Sequence, residues 1–144
     1  MQRTLDAISD LDSYSSVPKN TLPMILLVED SFEGQILIKH YIKGEYNVVT
    51  TTTGEQAVEL ARTLDVKAII MDLHLAGQMT GIEATKIIRT MEGKENIPII
   101  ALTAYSMSDM RDRCLEAGCS DFLQKPANRK ILLDLLHNLI EAQS

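Results

Sequence analysis

Three acids, one hydroxyl and one amine stand out in this chain because each ends a short apolar run. Glu29 and Asp30 close "LLVEDS" (26–31), Asp72 closes "KAIIMD" (67–72), Thr103 lies in "ALTA", and Lys125 lies in "LQKP". Two like carboxylates at the mouth of an apolar run repel each other and lose hydration, so they need a counter-ion. Three carboxylates gathered in one cleft suit a hard divalent cation with oxygen ligands. Mg2+, which keeps several waters of its own, fits best. Thr103 would add a hydroxyl donor, and Lys125 a mobile point charge. Taken singly, each residue has an ordinary explanation: helix-start acids, a loop-start aspartate, a strand-end cap, a solvated lysine. Only a fold that brings them to one rim makes chemistry of them.

The elements predicted from periodicity do this. Apolar or β-branched runs at 24–28, 46–51, 67–72, 97–102 and 120–124 read as strands. Helical spacing marks 31–43, 54–64, a segment after Gly81 carrying Ile82, Ile87, Ile88 and Met91, then 107–117 and a last helix from the cap Asn128 to about Ala142. In the first helix Ser31 is the expected N-cap, and Phe32, Ile36, Leu37 and Tyr41 the expected apolar face. Strands that read as unbroken apolar runs are covered on both faces, which means a parallel sheet between two helical layers. Right-handed crossovers make this an α/β doubly wound domain. Its site lies at the carboxyl ends of the strands, where all five groups fall.

The bulk properties agree. The 144 residues suit one domain, 23–142, after an extension over 1–22 that reads as a linker with Leu5, Ile8 and Leu11 at helical spacing. A net charge of -6 argues against direct nucleic-acid binding. No apolar run reaches the length of a membrane span, and no secretion signal is evident. Cys114 and Cys119 form neither a disulfide framework nor a zinc pattern, which fits a reducing cytoplasm.

With these groups in place, "VEDS", "IIMDL", "GIEATKIIR", "IPIIALTA" and "EAGCSDFLQKP" together resemble the receiver domain of two-component response regulators, of the stand-alone, chemotaxis-regulator-like kind. The resemblance covers residues 23 to about 142. It implies a flavodoxin-like sheet of order 2-1-3-4-5. It also implies that Asp72 accepts a phosphoryl group from a histidine kinase or phosphotransfer protein. Mg2+ would be held by Asp30, Asp72 and the main-chain carbonyl of His74, with Glu29 acting mainly through a metal-bound water. Lys125 and Thr103 would contact the phosphoryl group, Phe122 would be the switch aromatic, and Lys125–Pro126 would be cis. Phosphoryl transfer needs in-line positioning and neutralised oxygens, which this set can supply.

The chain departs from the family pattern after the acceptor. "DLHLAGQMTG" has Ala76 where proline is usual and Thr80 where aspartate is common, and Gly81 comes nine residues after Asp72 rather than eight. A looser loop is expected. His74 and Tyr105 each lie two residues beyond a site residue and are candidates to tune phosphoryl lifetime. In the last helix a core stripe of Leu132, Leu135, Leu136 and Leu139 leaves Leu133 and Ile140 on a neighbouring face. That surplus suggests a contact on the face of helix four, strand five and helix five, made with a downstream protein target or a second copy in a homodimer. The rival readings are a Mg-dependent haloacid-dehalogenase-type phosphatase and a flavin- or nucleotide-binding domain. The first would want an acid where His74 stands, and the second a glycine-rich turn where "VEDSFEG" is acidic. Only "EAQS" follows the last helix, which suggests a stand-alone regulator; a receiver fragment of a hybrid kinase is the alternative.

Overall fold

The computed structural model describes residues 21–143. The expectations for Leu5, Ile8 and Leu11 lie outside this range. The chain alternates β1 (Met24–Val28), α1 (Phe32–Ile42), β2 (Asn47–Thr51), α2 (Gly54–Thr63), β3 (Ala68–Asp72), α3 (Gly81–Arg89), β4 (Ile99–Thr103), α4 (Met107–Ala117), β5 (Asp121–Gln124) and α5 (Arg129–Glu141). The strands form one parallel sheet in the order β2-β1-β3-β4-β5.

The unbroken apolar strands feed two cores, because successive side chains point to opposite faces. On one face Leu26, Val28, Ile69, Met71, Ile99 and Ala101 pack against residues of α2, α3 and α4. On the other, Ile25, Leu27, Ile70, Ile100 and Leu102 pack against α1 and α5. The starts of α1, α2, α3 and α5 are capped: Ser31, Thr53 and Asn128 each accept a backbone N–H, and Thr80 forms a reciprocal capping box with Glu83. No helix among the described residues is long and apolar enough to cross a membrane.

Two helix faces differ from expectation. In α1 the buried residues are Ile38 and Ile42, whereas Phe32 is 72% and Ile36 51% exposed. Helical spacing identifies an apolar set but not its direction: Phe32, Ile36 and Leu37 face outward, while Tyr41 packs partly against the core. In α5 the expected surplus does not exist: Leu133 is buried in the core, and Leu135, Leu139 and Ile140 pack partly against it. α5 packs against both a face of the sheet and α1, so its apolar stripe is wide.

Candidate functional site

β1, β3, β4 and β5 all end at the same rim, since a parallel sheet points every carboxyl end one way. Glu29 follows β1 directly. Its N–H donates to Thr51 O at 3.0 Å, which continues the ladder one residue past the strand. Glu29, Asp72 and Thr103 are almost wholly buried, while Asp30 is exposed. Oxygens of Glu29, Asp30 and Asp72 lie within 4.8 Å of one another.

Lys125, the first residue after β5, reaches back across this cluster. Its Nζ is 3.0 Å from Asp72 Oδ2 and 3.0 Å from Glu29 Oε1, with 29% of the side chain exposed. Burial alone would lower the ammonium's pKa, but the hydrogen bonds to Glu29 and Asp72 outweigh it and hold Lys125 above the usual lysine value. Burial pushes the Glu29 carboxyl above its ordinary range, and the charge of Asp72 adds to this; Lys125 and the Ser31 N–H offset part of the rise. Three clustered carboxylates face a single ammonium here, which favours a further cation. The peptide bond at Lys125–Pro126 is cis.

The remaining oxygens are held by backbone. Asp72 Oδ1 accepts the His74 N–H at 2.9 Å, and Asp30 Oδ2 accepts the Ala76 N–H at 3.0 Å. The loop after β3 therefore folds back over the acids despite its extra residue. It closes at Gly81, where a Cβ would lie 2.2 Å from the Asp72 carbonyl oxygen. Only glycine permits that approach.

Thr103 Oγ1 accepts the Tyr105 N–H at 3.0 Å and lies 3.4 Å from His74 Nε2. The His74 ring in turn meets Tyr105 edge-on, with centroids 4.4 Å apart. His74 and Tyr105 thus line one side of the site together. Phe122 sits one pleat below. It is half-buried against the α2–α3–α4 core, with the Arg111 guanidinium 5.9 Å from its ring centre.

Sequence reasoning missed the supports of Glu29. Its carboxylate accepts the Ser31 N–H at 3.1 Å, and its carbonyl accepts Gln35 Nε2 at 2.8 Å. Gly34 leaves room above it, since a Cβ there would come within 2.7 Å of the Glu29 carboxyl carbon. A glycine inside a helix costs about 1 kcal/mol against alanine, and this cost was the available signal.

Comparison with known proteins follows the same lines. The sequence model of the response regulator receiver domain matches residues 25–137. Polar-differentiation response regulator DivK of Brucella abortus is 32% identical over 103 residues, covering 71% of this chain and 83% of DivK. Hybrid signal transduction histidine kinase M of Dictyostelium discoideum is 35% identical over 122 residues, covering 81% of this chain. The match spans only 5% of that kinase, and 7–9% of two further hybrid kinases of the same organism. Among solved structures, the receiver domain of a Pseudomonas aeruginosa sensor histidine kinase has a TM-score of 0.78 at 38% identity. That comparison covers 84% of this chain and 99% of the other, which carries a magnesium ion in its active-site cleft.

Proposed function

This chain belongs to the response regulator receiver domain family, and from that membership we propose that Asp72 is the carboxylate that takes up the phosphoryl group. Receiver domains are signalling domains that take phosphoryl groups from histidine kinases or phosphotransfer proteins. The observation that carries the assignment is the Lys125 ammonium bridging Asp72 and Glu29 beside Asp30. In the transfer, an Asp72 oxygen forms a bond to phosphorus as the phosphorus–nitrogen bond of a phosphohistidine breaks. The imidazole leaves with the bonding pair and takes a proton. Lys125 is placed to neutralise the incoming oxygens. Thr103 offers its hydroxyl once it leaves its present partners. The backbone N–H of His74 orients the acceptor carboxylate.

Glu29, Asp30, Asp72 and the His74 carbonyl would hold Mg2+, and three clustered carboxylates against one ammonium fit them to it. Bound there, the ion would supply charge neutralisation beside the acceptor. The haloacid-dehalogenase alternative has nothing in its favour, since His74 stands where its second acid is needed. The readout we assign to the face of α4, β5 and α5, on the support of the exposed Leu115 of α4 and Ile131 of α5, through a protein target, with self-association as the other outcome of its test.

Incubation with acetyl phosphate should add one phosphoryl unit by intact mass. The gain should require Mg2+ and vanish in Asp72→Asn. Uptake that survives the substitution, or ignores a chelator, would sink the assignment.

A further inference from the structure

Arg111 has no role in the site described so far. It is an exposed residue of α4, and its recorded partner among the described residues is an aromatic ring rather than an acid. That ring is Phe122, on β5 at the edge of the sheet. Phe122 pairs in register with Ala101, and Thr103 with Gln124. Residues two apart share a sheet face, so Phe122, Ala101 and Thr103 all lie on the face beneath α4. Ala101 is small, and Thr103 is the residue that must move toward an anion at Asp72. A shift of Thr103 toward such an anion would open room on this face beside Ala101, which Phe122 borders in register. To fill that room the ring must leave the guanidinium above it. At the start of α4 the Ser106 hydroxyl bonds Ser108 Oγ and Asp109 Oδ2 rather than capping a backbone N–H.

We propose that Arg111 is a positioning residue that latches Phe122 in its half-buried seat and so sets how readily the Asp72 site accepts an anion. The proposal rests on the reading of Asp72 as acceptor and of Thr103 with Phe122 as the moving pair. A contact made in one of two states biases the equilibrium toward that state by its own strength. An exposed cation–π contact is worth about 0.5–1 kcal/mol, which converts to about 2–5-fold at 1.4 kcal/mol per tenfold. The latch therefore opposes activation by that factor, and its release hands α4 a freed guanidinium on the surface where a partner would bind.

The test is the affinity for beryllofluoride with Mg2+, followed by amide shifts around Asp72 in the full chain. Arg111→Ala should tighten binding about 2–5-fold. Arg111→Lys, which keeps the cation, should stay closer to the wild type. In a Phe122→Leu background Arg111→Ala should change nothing. An unchanged or weakened affinity in Arg111→Ala overturns the latch, as does an equal gain with Leu at 122. If the wild type fails to bind, or Asp72→Asn still binds, the acceptor reading itself has failed and takes the latch with it. Binding that needs Asp72 but ignores Arg111 removes the latch alone.

Discussion

His74 and Tyr105 are the pair we propose to tune the lifetime of a phosphoryl group on Asp72. Their rings touch each other, and His74 also reaches the hydroxyl of Thr103. On this reading the two rings flank the route of an attacking water. Replacing both by alanine should shorten the lifetime of phosphorylated protein several-fold, as timed by loss of the added mass. An unchanged lifetime would make them plain surface. Cys119 gives a prediction of another kind. Burial pushes its thiol from 9.0 up to about 12. Between those values the folded chain holds a proton that the unfolded chain has lost, so stability falls as pH rises through this window. The slope from this one group is at most about 1.4 kcal/mol per pH unit. Urea unfolding at pH 8 and pH 10 should show a smaller alkaline loss for Cys119→Ala than for the wild type. Equal losses would place the titrating group elsewhere.

At the level of elements, α1 is the sharpest case of a pattern whose direction only packing decides. Its start signal was readable, since Ser31 caps it. Its apolar residues were readable too, but Ile38 and Ile42 face the core and Phe32 and Ile36 face water. Ile42→Ala should cost about 2–5 kcal/mol in chemical denaturation. Ile36→Ser should stay within about 0.5 kcal/mol of the wild type. Reversed magnitudes would mean that the helix is rotated from this orientation. The loop before α3 is the complementary case. Its extra residue was visible, and so was Gly81. The loop is nevertheless anchored, by the Ala76 N–H on Asp30, by Gly81 against the Asp72 carbonyl and by Thr80 capping the next helix, while residues 76–78 between the anchors stay exposed.

For the whole molecule, the question is how a charge added at one rim reaches a partner. Leu133 cannot serve as a probe of that surface, because it lies in the core with Leu132 and Leu136. Leu133→Glu would bury a charge and unfold the domain rather than report on binding. Leu115, 47% exposed on α4, is the informative position on the proposed face. Leu115→Glu should keep its thermal midpoint and its uptake from acetyl phosphate. It should weaken beryllofluoride-dependent association, measured by light scattering for a second copy and by a binding assay for a protein target. Full-strength association in that variant would move the signalling surface elsewhere.

The sequence by itself determined the architecture and which residues gather at the candidate site. Alternating apolar runs and helical spacings require a parallel sheet between two layers. A parallel sheet sends Glu29, Asp72, Thr103 and Lys125 to one end whatever the details of packing. Types and order along the chain suffice for this, because strand direction is a topological property. Distances and facing are not. The Lys125 bridge, the seat of His74 between Thr103 and Tyr105, the outward turn of Phe32 and Ile36, the burial of Leu133, and Arg111 above Phe122 depend on rotation about helix axes and on side-chain packing. Those quantities are set by contacts between residues far apart in the chain, and no local pattern encodes them.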